Sequence, residues 1–585
     1  MNPSPPAPPH PPPMTHADVL QRLARSGSLE DSQVLWFPSA DGSLGNSLGE
    51  GTLSGRMMVG GHEVRLRVRL PAKFPLCLPD IQVEGIHPHV ELPHMLGGRS
   101  ICFPEDANLL DSDDPYAIAW EALVYARELL GDMIAGNRAR EFAQEAFAYW
   151  HALAQGRLID CVVSAGDHPY PLVAFLAQGR LCAVADDSDV YARSLPERSI
   201  EGLTQRNALY LPLGPAVVEQ DFRLRELATL EGIRKHVRAL PEEDRRRLFL
   251  LLGRQGGRDV LLVLGLRRPQ GERALLGVML AEIQGGHPLD DGKAQARVEP
   301  IELLRRDLSF LAPRGGAGTD LQERRVLIAG CGSVGGYIAL SLARTGLGTL
   351  SLVDPDVFSL ENTYRHACGM SWSGHPKVEG LREEIERTIP YVDVQPFQAR
   401  IEDLPPSILR EHDLVISALG HPTIELHLNK RIWSDEKHPP ALFTWLEPLG
   451  LGGHALLTHV RGAQESTRGC LKCLYKRSVE GGAIENRAAF AMPGAIYTRD
   501  MLGCGSRYLP FADLDAQRTA ELASRLALRS LRGEVTGSPL LSWKGDSQAF
   551  EQAGYSVTPR YALEPVAPEP HSMYIRADCP VCGAR

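Results

Sequence analysis

The sequence predicts an α/β, multidomain protein, and three observations carry that prediction. An apolar run, Arg324–Ala329, enters a glycine-rich turn, Gly330–Gly335, and then an amphipathic stretch through Ala339, Leu342 and Ala343. That is the strand, turn and helix of a parallel-sheet unit. The segment Glu63–Leu70 instead alternates strictly, which describes a half-buried strand with its arginines in water. A length of 585 residues leaves room for three domains at roughly 150 residues each, with the last one larger.

In chain order, residues 1–14 form a proline-rich tail (Pro3 through Pro13) too polar and too stiff to pack, and a helix is expected over His16–Arg25. The strand Glu63–Leu70 is followed by Lys73–Val83, with its proline-pinned turn, by His87-Pro88-His89, and by Arg99-Ser100-Ile101-Cys102-Phe103. Apolar residues at Ala117, Trp120, Leu123, Val124 and Leu130 predict helices beyond Cys102. Residues 156–300 hold apolar strands at Leu158–Val163, Leu181–Val184 and Val260–Leu264, with a helix over Arg225–Val237. This middle part reads as an α/β linker domain that spaces or docks its neighbours, with no catalytic constellation of its own.

The chemistry concentrates between Arg324 and Lys377. A glycine turn at a helix N-terminus cradles phosphate on backbone N–H groups. The next strand, Thr349–Val353, ends in Asp354, close to the roughly 20-residue offset at which an acid meets ribose hydroxyls. These features say nucleotide and leave NAD, FAD and ATP open. Asp354-Pro355-Asp356 is followed by Asn362-Thr363-Tyr364-Arg365 and by Gly374–Val378, where a helix opens at Lys377. Hydride transfer leaves its cofactor intact and needs no such cations. Adenylation does, because negative charge grows on the α-phosphate as pyrophosphate departs.

Cys470-Leu471-Lys472-Cys473 and Cys579-Pro580-Val581-Cys582 have tetrahedral zinc spacing, each with a neighbouring glycine. Four thiolates close a coordination sphere, so the expected zinc is structural, and a redox role for either pair is the alternative. Cys504 is the only cysteine between the pairs. Its flanking glycines permit close approach of a carbonyl, and a small buried core thiol is the competing reading.

The set Gly330, Gly332, Gly335, Asp354, Asp356, Asn362, Arg365 and Lys377 resembles the ThiF/MoeB family, to which the ubiquitin-activating enzymes belong. The resemblance implies a Rossmann-like adenylation domain with a four-cysteine zinc site over residues 301–585. It implies ATP and Mg2+, Asp354 on the ribose, Arg365 and Lys377 on the phosphates, and Cys504 as a thioester-forming cysteine. There is a departure: the position at which relatives carry an aspartate that helps to hold magnesium falls on Gly420, beside His421. Asp356 or Glu425 would have to substitute. Relatives also bring an arginine from before the first strand, often across a dimer interface, for which Arg305 and Arg306 are candidates.

The order of features over residues 15–155 resembles ubiquitin-conjugating enzymes, which implies that Cys102 accepts the activated tail as a thioester. That family's histidine-proline-asparagine triplet is not intact. Its asparagine position falls on His94, while the literal His-Pro stands upstream at His87. A histidine can donate the same hydrogen bond to an oxyanion, or act as a base near neutral pH.

A conjugating-type region followed by an adenylating one resembles the fused activating and conjugating enzymes of bacterial CBASS antiphage operons. In that family the modified protein is a cGAS-like nucleotidyltransferase, whose C-terminal carboxylate is joined to an amine such as a target lysine. The chain contains no β-grasp module, so the reactive tail is expected on a separate partner, and the enzyme is expected as a homodimer. The rival readings are a sulfur-carrier-type adenylating enzyme with a non-catalytic N-terminal module, an NAD-dependent oxidoreductase, and a scaffold with a dead conjugating domain.

The formal charge of -10 argues against direct nucleic-acid binding, and no apolar run reaches the roughly 18 residues that would span a bilayer. Eleven cysteines, an odd number, suit a reducing compartment. The expected location is cytoplasmic.

Overall fold

The computed structural model describes residues 14–36, 51–87, 95–96, 99–103, 110–136, 145–214, 224–252, 259–268, 271–477, 484–500, 507–565 and 570–583. His94 and Cys504 lie outside these residues. The chain forms two compact units, one of Met1–Asp187 with Gly202–Leu304 and one of Ser188–Glu201 with Arg305–Arg585.

The first unit opens with the expected helix His16–Arg25, set by a capping box. Thr15 Oγ1 accepts the Asp18 N–H and the Asp18 carboxylate accepts the Thr15 N–H, satisfying two otherwise orphaned donors. Its apolar face, with Val19, Leu20 and Leu23 fully buried, lies on an antiparallel sheet. The strands are β1 (Glu30–Trp36), β2 (Gly51–Val59), β3 (His62–Arg69), β4 (Asp80–His87), β5 (Met95–Leu96) and β6 (Ser100–Ile101), in the order β1-β2-β3-β4-β6-β5. Strand β3 realises the alternation, with Val64, Leu66 and Val68 buried and its arginines on the other face. There Arg69 pairs with Asp80 at 3.2 Å and Arg67 with Glu84. The long helix Pro115–Ala135 starts at Asp114, whose carboxylate caps the Ala117 N–H at 3.0 Å, and packs Ile118, Ala122 and Ala126 into the same core.

The middle stretch closes into a seven-stranded barrel: β7 (Leu158–Val162), β8 (Tyr170–Ala177), β9 (Arg180–Ala185), β10 (Leu203–Pro212), β11 (Val260–Arg267), β12 (Arg273–Gln284) and β13 (Gln295–Arg305), in the cyclic order β10-β11-β12-β13-β7-β9-β8. Strand β11 is buried along nearly its whole length, because one side faces the barrel interior and the other carries helices. The helix Ala146–Ala154 is pinned by Trp150, whose indole N–H is shared between the Gly277 and Ile301 carbonyls at 3.1 Å each. The helix expected over Arg225–Val237 is interrupted. A 3-10 turn, Leu224–Ala228, gives way at Thr229, whose extended backbone and hydroxyl cap a new helix, Leu230–Arg238, at the Gly232 N–H.

The second unit is built on β14 (Arg325–Ala329), β15 (Thr349–Val353), β16 (Asp393–Phe397), β17 (Leu414–Ser417), β18 (Ala441–Leu446) and β19 (Gly452–Thr458). Two ribbons, β20 (Tyr475–Arg477) with β21 (Ile484–Asn486) and β22 (Arg499–Asp500) with β23 (Arg507–Tyr508), precede β24 (Leu540–Lys544). The main sheet runs β16-β15-β14-β17-β18-β19-β24, parallel through β18 and antiparallel thereafter. The order reverses between β14 and β17. In an open parallel sheet that reversal leaves a crevice at the carboxyl ends of the strands, where ligands bind. Helices Ser333–Ala343, Lys377–Thr388, Pro422–Trp433 and Asp513–Leu531 supply the buried faces against the sheet.

Candidate active site

The glycine turn sits at that crevice. Gly330 has φ +89°, and a Cβ there would lie 2.7 Å from the Ala418 carbonyl oxygen beyond β17. A Cβ on Gly335 would lie 1.8 Å from the Gly330 oxygen. These two glycines are dictated by packing. Gly332, at the N-cap of the helix Ser333–Ala343, has nothing within 4 Å of an added Cβ. The helix has no side-chain cap, so no cap side chain occupies its first amides, the arrangement that receives a phosphate.

Asp354, at the end of β15, is buried. Its Oδ2 accepts the Cys331 N–H and its Oδ1 accepts the Asp356 N–H, each at 2.8 Å. Burial raises its pKa, against the opposing pull of Lys377 and the two amides. Lys377 is the first residue of its helix, and its Nζ lies 2.7 Å from the Asp356 carboxylate. The lysine is 12 % exposed and the aspartate 63 %, so Asp356 keeps an open carboxylate beside the turn.

Asn362 and Arg365 stand on a 3-10 turn, Leu360–Arg365. Asn362 Nδ2 donates to Ser359 Oγ at 3.0 Å. Arg365 reaches the chain just beyond the segment that contains Cys504: its Nη1 donates to the Leu509 carbonyl at 3.4 Å and its guanidinium lies 5.1 Å from the Phe511 ring centre. The flanks of the Cys504 segment are paired as the ribbon β22–β23, through Arg499 with Tyr508 and Asp500 with Arg507. Arg305 is held within its own unit by two 2.8 Å hydrogen bonds to Asp307.

Two site residues went unread in the sequence. His366 is buried with its Nδ1 accepting the Cys368 N–H at 3.0 Å, which leaves Nε2 as the donor to the Cys331 carbonyl at 2.6 Å. It ties the Arg365 turn to the glycine turn as a neutral ring, and burial lowers its pKa. Its only signal was adjacency to Arg365. The second is Asn429, described with the cysteines below. Glu425 turns inward, 2 % exposed, and accepts the Ser417 hydroxyl at 3.1 Å. Its carboxylate is therefore spent on the protein, and Gly420, with φ +61°, offers no ligand. Of the substitutes named for the missing aspartate, Asp356 is the one facing outward.

The two cysteine pairs meet. Cys470, Cys473, Cys579 and Cys582 place all four sulfurs within 4.8 Å of one another, with Cys470–Cys579 at 3.7 Å and Cys473–Cys582 at 3.3 Å. A zinc with bonds of about 2.3 Å in a tetrahedron puts sulfurs about 3.8 Å apart, so the cluster fits such an ion. Gly469 and Gly583 are required there, since a Cβ on either would come within 2.6 Å of Tyr574 Oη or the Cys579 carbonyl oxygen. Asn429 is fully buried and donates from Nδ2 to Cys470 Sγ at 3.6 Å.

In the first unit Cys102 follows β6 directly and is half-buried. Across the ladder Met95 pairs with Ile101, and the Met95 N–H donates to Tyr149 Oη at 3.2 Å. The phenol's pKa is pushed up to about 12, chiefly by burial, with the charges of Glu145 and Cys102 adding to it. His87 ends β4 and is exposed.

A phosphate-ready turn, buried acid and lysine on a parallel sheet, joined to an antiparallel domain with a cysteine past its last strand, define an adenylating enzyme with a conjugating-type domain. Residues 305–498 match the model of the ThiF family and residues 41–158 that of prokaryotic E2 family B. The chain is similar to the ATP-dependent ubiquitin transferase-like protein Cap2 of Pseudomonas aeruginosa, at 25% identity over 476 residues, covering 78% of this chain and 84% of that protein. It is 34% identical to the molybdopterin-synthase adenylyltransferase of Escherichia coli over 111 residues, 19% of this chain and 45% of that one. The solved structure of E. coli MccB with ATP aligns at 17% identity and TM-score 0.32, covering 45% of this chain and 67% of that one.

Proposed function

We propose that this enzyme adenylates the C-terminal carboxylate of a partner protein and passes the acyl group through two cysteines to a target amine. One observation carries the reading: at the carboxyl edge of a single parallel sheet, the open glycine turn meets buried Asp354 and the Lys377–Asp356 pair. ATP would lie with its phosphates on the Gly330–Gly335 turn and its ribose on Asp354. The partner carboxylate attacks the α-phosphate and pyrophosphate leaves, while Lys377 and Arg365 meet the growing charge. Magnesium, held by Asp356, would neutralise the phosphates. Cys504 then displaces AMP to form a thioester, exchange moves the acyl group to Cys102, and a lysine amine takes it as an amide. His94 serves the oxyanion at that last step.

The similarity to an ATP-dependent ubiquitin transferase-like protein supports a ubiquitin-like conjugation; in our proposal it serves antiphage defence, with a cGAS-like nucleotidyltransferase as the partner, in a cytoplasmic homodimer. In this reading residues 15–155 conjugate, 156–300 link and 301–585 adenylate, with zinc in the cysteine cluster as a structural ion. No described helix is long and apolar enough to cross a membrane. The identity to molybdopterin-synthase adenylyltransferase favours a second reading for the C-terminal part, sulfur-carrier activation. ATP–pyrophosphate exchange that depends on an added cGAS-like C-terminal tail tests the first reading. Exchange driven by a sulfur-carrier tail alone would replace it.

A further inference from the structure

We infer that the helix Pro422–Trp433 couples the cysteine cluster to the nucleotide turn, with Asn429 and Glu425 as its two positioning residues. The inference rests on the reading above, in which the cluster holds zinc and the glycine turn binds ATP.

Glu425 and Asn429 are four residues apart, on one helical face, and are 2 % and 0 % exposed. Asn429 uses both ends of its amide. Nδ2 donates to Cys470 Sγ at 3.6 Å, while Oδ1 accepts the Leu471 N–H at 3.1 Å. The side chain therefore fixes the orientation of the first CxxC pair, the kind of outer contact that tunes a metal's hold. One turn back, Glu425 accepts the hydroxyl of Ser417, the last residue of β17, at 3.1 Å. The residues that follow Ser417 form the wall of the glycine turn: an added Cβ on Gly330 would meet Ala418 O at 2.7 Å and Leu419 Cα at 3.0 Å.

The helix is thus anchored at one position to a cysteine of the cluster and one turn back to Ser417, which leads directly into the backbone against which the phosphate turn packs. A buried interface of this kind has little room for independent adjustment. Loss of the ion frees Cys470, removes the partner of Asn429, and lets the helix shift the Leu419–Gly420 wall. The zinc is then more than a clasp for the C-terminus, because it also holds the nucleotide site in shape.

The test uses the full chain and two readouts other than turnover: the rate of zinc release to a chromophoric chelator, and the affinity for a fluorescent non-hydrolysable ATP analogue. Wild type must contain zinc and bind the analogue; failure of either would overturn the underlying reading and the coupling with it. Asn429→Ala should release zinc about 10 to 100 times faster and, while still loaded, bind the analogue several-fold more weakly. Chelated wild type should lose at least as much affinity. Glu425→Gln touches no cysteine and guards against a folding failure of the first variant. It should speed zinc release and shift the thiolate-to-metal absorption of the cobalt-substituted protein. Wild-type zinc release and cobalt spectra in Glu425→Gln, or unchanged analogue affinity after zinc is removed from wild type, would overturn the coupling while leaving the adenylation reading intact.

Discussion

Asp354 closes the glycine turn, its Oδ2 accepting the Cys331 N–H at 2.8 Å. The same carboxylate accepts the Asp356 N–H, so the acid is oriented before any nucleotide arrives. Asp354→Ala should therefore act twice. Removing the acceptor leaves buried donors unpaired, at about 1 to 3 kcal/mol of stability, and ATP affinity should fall at least tenfold. Urea denaturation and analogue titration read the two effects separately.

The glycines divide by cause. Gly335→Ala puts a methyl carbon 1.8 Å from the Gly330 oxygen, a clash that only backbone movement relieves, and should destabilise the second unit by several kcal/mol. Gly332→Ala meets nothing within 4 Å. It should fold with an unchanged melting temperature yet lose ATP binding, because its methyl occupies the space left for phosphate.

Lys377 stands beside a carboxylate that is mostly in solvent, so its ion pair contributes at most about 1 kcal/mol to stability. Its weight lies in the transition state. Lys377→Ala should reduce ATP–pyrophosphate exchange about 100- to 1,000-fold, mainly in kcat, with a melting temperature near that of wild type.

Burial pushes the Glu425 pKa up from 4.5 to about 7, against the hydrogen bonds from Ser417, Gly420 and Leu419. Among neighbouring titratable groups, Tyr475 feels its charge. A raised carboxyl means that the native state holds the proton more tightly than the unfolded chain. Its stabilising contribution is complete below about pH 4.5 and is lost as pH rises through 7, on the order of 3 kcal/mol in all. Urea midpoints measured from pH 5 to pH 8 should fall more steeply for wild type than for Glu425→Gln. Parallel curves would contradict the assignment.

Legibility in the sequence followed how local each feature is. The alternation of Glu63–Leu70 became β3 because a period of two leaves one face to bury. The strand, glycine turn and helix at Arg325–Ala343 depended on contiguous residues and formed as read. Each CxxC pair was visible, and the chain brought them together although Cys470 and Cys579 are 109 positions apart. Closure of the barrel was not legible, since β8 meets β10 and β13 lies beside β7 only through long-range pairing. Thr229 broke a periodic apolar pattern with one hydroxyl cap. His366 and Asn429 are single buried polar groups whose partners, Cys331 and Cys470, are distant in sequence, and no spacing rule marks them. Glu425 was readable as a carboxylate near the site, but its inward orientation depends on the fold of the Leu419–Gly420 turn.

The central claim is the ordered transfer from adenylate to Cys504 to Cys102. Its most direct measurement is the set of adducts formed with ATP, Mg2+ and a cGAS-like partner by wild type, Cys504→Ala and Cys102→Ala, resolved with and without thiol. The relay predicts no adduct on Cys504→Ala, a thiol-sensitive adduct that accumulates on Cys102→Ala, and a thiol-resistant amide only in wild type. Amide formation by Cys102→Ala at the wild-type rate would contradict it.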